Sequence, residues 1–212
     1  MFIKNLDPRT LGEDICKLEN TNCSLLFLPE AKDLLLNIRE CKADPYLSSI
    51  LCGKTRANHF DGVVTIVNRL FELFKPKSTY FGEKDYQQFF FIKTVVEQTQ
   101  LKTKIVMAKT VRDINGLALS SRNNYLSKEQ AGVAKNIYKS LKILKKIIKN
   151  GEDVSKAINE QKKILLNEGF TKIEYLEIRT QDLKKSILPH HRSRIFIAAK
   201  IENIRLIDNL LI

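Results

Sequence analysis

In the first half of the chain, segments with apolar residues at every third or fourth position alternate with short apolar runs. The three- to four-residue spacing is typical of helices with one buried face, and it predicts helices over residues 11–18, 62–74 and 85–99. The short runs are bounded by polar residues, glycine or proline and predict buried strands over residues 24–28, 79–81 and 105–107. Helices that alternate with strands indicate βαβ units, and therefore a parallel sheet.

The second half has a different order of elements. Ser127 and Gln130 have the spacing of a capping box, which predicts one helix from there to Asn150, and a second helix is predicted over residues 154–167. Alternating strand patterns follow over residues 173–179, 194–200 and 205–208. We therefore expect an α/β protein with two domains: residues 1–111 contain the parallel sheet, and residues 112–212 form a small α+β domain.

The composition is that of a globular protein, with 43% hydrophobic and 28% charged residues. No window holds ~18 consecutive apolar residues, and the first ten residues lack the apolar core of a signal peptide. We therefore expect a cytoplasmic protein with no membrane partner. The four cysteines include no Cys-x-x-Cys pair and have no histidine at zinc-site spacing, which predicts reduced, mostly buried thiols.

Positive charge is concentrated in the second half of the chain. Residues 1–106 carry 15 Lys and Arg against 13 Asp and Glu, a net charge of +2, whereas residues 107–212 carry 21 against 11, a net charge of +10. Such asymmetry is typical of nucleic-acid surfaces, of lysine-rich proteomes and of proteins that attract anionic substrates. The basic region lacks interleaved aromatic residues for base stacking, so we expect no nucleic-acid partner.

Residues 82–88, with the sequence Gly-Glu-Lys-Asp-Tyr-Gln-Gln, combine several features of an anion site. A glycine between a strand and a helix allows an anion to approach the backbone, and Lys84 adds a mobile positive charge. A solvated Lys84 beside an N-cap Asp85 is the alternative interpretation. Gln87 and Gln88 open the next helical turn, where one of them can bind a hydroxyl or carboxylate.

A second polar segment, Ser120-Ser121-Arg122-Asn123, suits a loop that closes over phosphates, because an arginine fork matches phosphate oxygens. A capped turn before the next helix is its alternative interpretation. Together the two segments predict a triphosphate held between two loops. Arg56 and His59 precede another helix and are candidates for a carboxylate substrate, against a packed histidine with one hydrogen bond. We expect His190 and His191 to lie on the surface.

These segments together resemble the pantoate–β-alanine ligase family of the nucleotidyltransferase-like α/β superfamily. The resemblance covers nearly the whole chain, and its most specific parts are residues 82–88 and Leu119-Ser120-Ser121-Arg122-Asn123. It also includes the segments at residues 8–11, 59–63, 111–112 and 205–209. The resemblance implies a Rossmann-like parallel sheet in the first domain and a homodimer formed through that domain.

The reaction that this resemblance implies has two steps and requires ATP and Mg²⁺. Pantoate and ATP form pantoyl adenylate and diphosphate, and the amine of β-alanine then displaces AMP to give pantothenate, an intermediate on the coenzyme A pathway. Lys84 and Arg122 would carry the catalytic charge, and Gln88 would bind pantoate. The residues implied to bind ATP are Gly82, Glu83, Lys84, Asp85, Val111, Leu119, Ser120, Ser121 and Arg122. Arg56 and His59 match positions near the substrate cleft, without an assigned role.

The chain departs from the family pattern in three places. Relatives begin with a strand and loop carrying a His-x-Gly-His type motif, whereas this chain has no histidine before His59, so the expected Rossmann-like sheet is incomplete. A misassigned start codon, a fragmentary gene and completion by another polypeptide all explain the difference. Ala57-Asn58 stands where relatives often have Pro-Gly, and Lys109 where they tend to have proline.

The missing histidines leave two other functions open. We expect little ligase activity from these 212 residues alone, and activity once the upstream sequence is restored. A catalytically inactive nucleotide-binding or interaction protein is the alternative, which binding of ATP analogues without turnover would support. An RNA-binding remnant is a further alternative, which would require salt-sensitive affinity for a specific RNA.

Overall fold

The computed structural model describes residues 11–36, 38, 40–186 and 193–212, and its contacts divide the chain into two compact units, residues 1–38 and 39–212. The first unit contains α1 (Leu11–Glu19) and α2 (Ala31–Leu34), so the helix predicted over residues 11–18 is confirmed. The strand predicted over residues 24–28 is wrong. A strand requires a neighbour for its N–H and C=O groups, and no described residue pairs with this apolar run.

The second unit begins with helices and a parallel sheet. It contains α3 (Pro45–Ser48), α4 (Leu51–Thr55), α5 (His59–Phe74), β1 (Ser78–Gly82), α6 (Tyr86–Gln98) and β2 (Lys104–Ala108). β1 and β2 are parallel, with Ser78 opposite Lys104 and Gly82 opposite Ala108. The predicted βαβ unit is therefore confirmed, and it places Gly82 at the carboxyl end of β1, where α/β sheets commonly bind ligands.

The start of α5 has an unusual backbone conformation. Asn58 has φ +58°, in the left-handed region that glycine adopts without cost and that asparagine tolerates better than most residues. Asparagine is therefore compatible with the turn that brings the chain into α5.

The helical region that follows begins with α7 (Lys128–Ala134), α8 (Asn136–Lys149) and α9 (Val154–Asn167). Ser127 and Gln130 form the predicted capping box. The single helix predicted after it is wrong, because it divides at Lys135. The backbone hydrogen bonds from Lys135 to Ala131 and from Lys139 to Lys135 are both long, at 3.4 Å, and no capping residue marks this point in the sequence.

The last three strands are β3 (Lys172–Thr180), β4 (Ser193–Ile201) and β5 (Ile204–Leu211). They form an antiparallel sheet in the order β3-β4-β5. The three strands predicted for this part of the chain are therefore confirmed. All residues of β4 except Lys200 are buried, because both faces of the sheet are covered. Ile195 and Ile197 pack with the α7–α9 core, whereas Phe196 packs with the core of α3–α6.

The packing of this sheet determines where the end of β5 lies. Asp208 and Asn209 on β5 are both buried and lie beside the 3-10 turn Glu83–Asp85 that follows β1. Residues more than a hundred positions apart in sequence therefore meet at the carboxyl end of β1. The predicted domain boundary after residue 111 stays a prediction, and residues 39–212 form one compact unit.

The cysteines differ from the prediction made from the sequence. All four cysteines are free thiols, but only Cys52 is buried; Cys16 and Cys23 are exposed, so the prediction of mostly buried thiols is wrong. Cys16 and Cys23 belong to the first unit, where no described residue of α1 is buried. Within the described ranges, no helix combines the length and the apolarity needed to cross a membrane.

Candidate active site

The turn after β1 is fixed by a side chain from β5. Asn209 Nδ2 donates hydrogen bonds to the carbonyl oxygens of Glu83, at 2.9 Å, and Lys84, at 3.0 Å. Asn209 Oδ1 accepts from Arg194 Nη1, so all polar atoms of this buried amide are engaged. The backbone of residues 83–85 is therefore held in place before any ligand binds.

The Glu83 side chain forms a second connection between the turn and the sheet, through an ion pair and a hydrogen bond. Its Oε1 accepts from Arg194 Nη2 at 2.7 Å, and its Oε2 accepts from the Thr110 backbone N–H at 3.4 Å. The Arg194 side chain is only 6% exposed, so it needs an acidic partner. The Glu83 carboxylate is thus engaged by the protein on both oxygens.

Lys84 lies in a cleft with Arg122. Burial lowers the pKa of the Lys84 ammonium; Arg122 lowers it further, while Asp85 and Asp208 act in the opposite direction. Within the described ranges, neither Lys84 nor Arg122 makes an ion pair. Two cations that form no ion pair within the described residues make this cleft a candidate site for an anion.

The cleft brings residues of the two polar segments together. It is narrow in this structure, with about 10 Å³ open to the centre of a water-sized sphere. The lining residues are Lys84, Leu117, Ala118, Ser120, Arg122, Asn123, Ile137, Arg205, Leu206, Ile207 and Asp208. Ser120, Lys84 and Arg122 therefore share one surface, although Lys84 belongs to the first predicted domain and the other two to the second.

The segment around Ser120 forms a capped turn, which was the alternative interpretation of this motif. Ser120 Oγ accepts from the backbone N–H of Arg122 at 3.3 Å and opens the 3-10 turn Ser121–Tyr125. Ser121 is exposed and Arg122 is partly buried. A capped turn and a phosphate-binding loop are compatible interpretations of this segment, because Arg122 follows the capping residue and also lines the cleft.

Val111 and Leu119, predicted to contact ATP, lie opposite each other on a tight hairpin. The Leu119 N–H donates to the Val111 carbonyl at 2.9 Å, and the two residues are 52% and 66% exposed, respectively. Gly116 in the turn has φ +90°, and an added Cβ would lie 2.4 Å from the Tyr138 ring. The hairpin therefore exposes the apolar side chains of Val111 and Leu119, and Leu119 directly precedes Ser120 in the cleft lining.

The hairpin is anchored to β5 by a buried ion pair. Arg112 donates to both oxygens of Asp208, with Nη1–Oδ2 at 2.5 Å and Nη2–Oδ1 at 2.9 Å, and its guanidinium stacks 3.9 Å from the Tyr138 ring centroid. Burial raises the pKa of Asp208, and Arg112 offsets part of this rise. Asp208 therefore holds the hairpin at residues 111–119 in position, and both of its oxygens are engaged by Arg112.

Arg56 and His59 lie close to Arg122. Burial lowers the pKa of His59 to about 4, and the charges of Arg56, Arg205 and Arg122 contribute to this shift. Burial, Arg205 and Arg122 also lower the pKa of Arg56. The charges of Arg122 and Arg205 therefore act on both candidates, but neither candidate is among the residues that line the Lys84 cleft, and the His59 imidazole is neutral at pH 7.

The two glutamines of the motif have different environments. Gln87 is buried: its Nε2 donates to the carbonyls of Leu47 and Ile50, and its Oε1 accepts from the Cys52 N–H at 3.0 Å. Gln87 thus fixes the turn between α3 and α4. Gln88 is partly exposed and has no hydrogen-bond partner among the described residues, which leaves its amide available. It is not among the residues that line the Lys84 cleft.

Sequence analysis assigned no role to Arg205. Its Nε donates to Glu174 at 2.9 Å and its Nη2 to Cys52 Sγ at 3.3 Å. Burial lowers the pKa of Arg205, but Cys52 and Glu174 outweigh this effect, so its pKa is raised and it stays charged. The sequence offered two signals here, a strand pattern over residues 205–208 and the family resemblance over residues 205–209. Neither assigned Arg205 a role, because its partners lie far away in sequence.

Few of the carboxylates near the cleft are available to bind Mg²⁺. Among the described residues, no group of three His, Cys, Asp or Glu side chains is placed to hold a metal. Glu83 and Asp208 are in ion pairs, whereas Asp85 is exposed and its side chain caps no helix. Mg²⁺ commonly uses one or two carboxylates together with substrate phosphates, so one free carboxylate beside the cleft fits a metal that arrives with a nucleotide.

Comparison with known proteins identifies the family. The family model for pantoate-β-alanine ligase matches residues 5–211. The chain belongs to this ligase family. A pantothenate synthetase of Pseudomonas fluorescens is 40% identical over 208 residues, which cover 96% of this chain and 72% of that protein. A pantothenate synthetase of Acinetobacter baylyi is 37% identical over 96% of this chain and 73% of its own length.

Solved structures of the ligase family have the same fold. Pantothenate synthetase from Thermus thermophilus superposes with a TM-score of 0.90 at 32% identity, covering 98% of this chain and 76% of that one. Pantoate-β-alanine ligase from Francisella tularensis, in complex with β,γ ATP and β-alanine, has a TM-score of 0.80 at 32% identity over 97% and 71% of the two chains. The predicted family and α/β fold class are therefore confirmed.

Proposed function

We propose that this chain acts in the ATP-dependent condensation of pantoate with β-alanine, through pantoyl adenylate, with release of AMP and diphosphate. The observation that carries the proposal is that one cleft brings together Lys84 and Arg122 from two separate motifs, and neither forms an ion pair within the described residues. The Francisella relative, whose structure holds ATP and β-alanine, supports these two substrates.

In the first step, a carboxylate oxygen of pantoate attacks the α-phosphorus of ATP, and the bond to the bridging oxygen of the β-phosphate breaks. Negative charge grows on the phosphoryl oxygens and on the departing diphosphate. Lys84 and Arg122 are placed to stabilise that charge, and preorganised charges of this kind give the largest share of catalysis in many enzymes. Asn209 assists by holding the Lys84 backbone in place.

In the second step, the neutral amine of β-alanine attacks the acyl carbon of the mixed anhydride. The bond between that carbon and the phosphate oxygen breaks, AMP leaves with the electron pair, and the nitrogen loses a proton to the surroundings. The protein's contribution to this step is to position the amine against the acyl carbon.

The remaining substrate contacts follow from position. Gln88 is proposed to bind pantoate, because its amide is available while that of Gln87 is committed to the turn before α4. Val111 and Leu119 are proposed to pack against adenine, and the Gly82–Asp85 backbone and Ser120-Ser121 to contact the phosphates. Asp85 is proposed to supply one ligand to Mg²⁺, which would add positive charge at the phosphates.

The location and the assembly state belong to the same proposal. Freely diffusing substrates and free thiols suit a cytoplasmic enzyme. The family resemblance implies a homodimer formed through the first domain. Sedimentation of the protein at several concentrations measures the dimer directly, and a mass that stays at one chain contradicts it.

The function is tested on protein that is expressed from its own gene. We expect AMP and pantothenate to form only when ATP, pantoate and β-alanine are all present, as measured by mass spectrometry of the products. ADP in place of AMP, or no product although ATP analogues bind, would instead support a different reaction or a nucleotide-binding protein without turnover.

A further inference from the structure

The hairpin at residues 111–119 has two faces that differ in exposure. Val111 and Leu119 share a backbone hydrogen bond, and both are more than half exposed. Arg112 and Ala118, the next pair along the two arms, form an antiparallel bridge, and Ala118 is buried. Neighbouring residues of a strand point to opposite faces. Val111 and Leu119 therefore lie on the outer face, and Arg112 lies on the face that meets the rest of the protein.

Bonds within the hairpin fix its shape. The Asp113 carboxylate accepts from the backbone N–H groups of Asn115, at 2.9 Å, and Leu117, at 2.8 Å. The Asp113 N–H donates to the Leu117 carbonyl at 2.9 Å. None of these bonds reaches another element. The position of the hairpin therefore depends on the contacts that Arg112 and the buried Leu117 make with the rest of the protein.

The Arg112 guanidinium connects the hairpin to the end of β5. Besides the two bonds to Asp208, its Nη2 donates to the Asn209 carbonyl at 3.4 Å, and its Nη1 donates to the Gly116 carbonyl at 3.1 Å. A guanidinium donates in its own plane, so these bonds leave its flat face for a different kind of contact.

Tyr138 on α8 supplies that contact. The centroid of its ring lies 3.9 Å from Arg112 Cζ and 5.1 Å from Lys142 Nζ. The ring also lies against the turn of the hairpin, because a Cβ added at Gly116 would overlap it. The preceding residue, Ile137, lines the cleft, whereas Tyr138 does not. Tyr138 therefore supports the hairpin at two points from outside the cleft.

We propose that Tyr138 is a positioning residue that holds the hairpin where Val111 and Leu119 pack against the base of the nucleotide. This inference rests on the proposed function, in which those two side chains contact adenine. Tyr138 touches no substrate and acts through Arg112 and Gly116. Loss of its ring weakens recognition of the adenosine part of ATP. The phosphate contacts persist, because Asn209 still holds the turn at Lys84.

The test compares ATP with tripolyphosphate, which has the phosphate chain but no sugar or base. Binding to protein expressed from its own gene is measured by calorimetry for the wild type, Tyr138→Phe, Tyr138→Leu and Arg112→Lys. Tyr138→Phe keeps the aromatic ring, and Tyr138→Leu removes it. Arg112→Lys keeps a charge opposite Asp208 but removes the planar group that stacks on the ring. Tyr80→Leu, at an exposed position of β1 outside the cleft lining, is the control for the same substitution.

We expect the wild type, Tyr138→Phe and Tyr80→Leu to bind ATP more tightly than tripolyphosphate. In Tyr138→Leu and Arg112→Lys this preference should fall by about tenfold, as for a lost cation–π contact, with the affinity for tripolyphosphate unchanged. KM for ATP should rise in the same two variants while kcat at saturating ATP is kept. A purely structural defect would instead lower kcat through loss of folded protein and leave KM unchanged.

A wild type without the preference for ATP would overturn the proposal, as would Tyr138→Leu that keeps it or Tyr138→Phe that loses it. If Tyr138→Leu unfolds, Arg112→Lys decides, because an unchanged preference in that variant excludes support through the stacked guanidinium. Absence of pantoate-dependent ATP–diphosphate exchange in the wild type contradicts the proposed function instead, and the binding comparison still decides the role of Tyr138.

Discussion

At the scale of single residues, the active-site side chains differ in whether the protein itself satisfies them. Glu83, Gln87 and Asp208 are committed to structural bonds, whereas Lys84 and Arg122 have no ion-pair partner within the described residues. The motif residues next to one another in sequence thus have opposite roles: Glu83 holds the turn to the sheet, and Lys84 is left for a ligand.

The first prediction concerns Lys84 and Arg122. Replacing either by alanine should lower the rate of pantoate-dependent ATP–diphosphate exchange by about two decades, because each removes a charge that stabilises the transition state. Lys102→Ala, at an exposed position outside the cleft, is the matched control. Exchange at the control rate in both cleft variants contradicts the assignment.

The second prediction concerns the protonation of His59. Its NMR titration should have a pKa midpoint near 4, because burial and the neighbouring arginines disfavour the imidazolium ion. Binding of an anion at those arginines should raise the midpoint. His59→Asn identifies the resonance among those of the three histidines. A midpoint near 6.5, the ordinary value, would show that the arginine cluster does not act on His59.

The same pKa shift predicts how stability depends on pH. Because the folded pKa lies below that of the unfolded chain, the unfolded state binds more protons between about pH 4 and 6.5. The contribution of His59 to the free energy of unfolding is therefore complete above about pH 6.5 and is lost as pH falls toward 4. Urea unfolding across this range should show a smaller decline for His59→Asn than for the wild type.

At the scale of secondary structure, the cleft depends on the register of β5. Asp208 anchors the hairpin at residues 111–119 through Arg112, and the adjacent Asn209 anchors the turn after β1. Neighbouring residues of a strand point to opposite faces. One strand end can therefore hold two loops that carry different parts of the site.

The third prediction tests the anchor at Asn209. Asn209→Ala removes two hydrogen bonds to the turn and leaves the buried Arg194 with one partner fewer, so the free energy of unfolding should fall by about 2 kcal/mol. Affinity for an ATP analogue should fall as well, because the Lys84 backbone is released. Asn203→Ala, in the exposed turn between β4 and β5, is the control. Equal urea midpoints for the two variants contradict the anchoring role.

At the scale of the whole molecule, local patterns predicted much of the fold. Periodicity located α5, α6, α9 and the five strands, because each carries its own apolar face. The run at residues 24–28 and the break at Lys135 were missed, since a strand depends on a neighbour and this break has no capping residue. Arg205 and Asn209 were missed as site residues for a related reason: their roles depend on contacts across more than a hundred residues.

Transfer of the adenylyl group to pantoate is the central claim, and an oxygen label tests it most directly. The protein as its own gene produces it is given pantoate labelled with ¹⁸O in the carboxylate, together with ATP and β-alanine. Attack on the α-phosphorus predicts labelled AMP and unlabelled diphosphate, because the bridging oxygen stays with phosphorus when the amine attacks the acyl carbon. Unlabelled AMP, or label in inorganic phosphate or diphosphate, would contradict it.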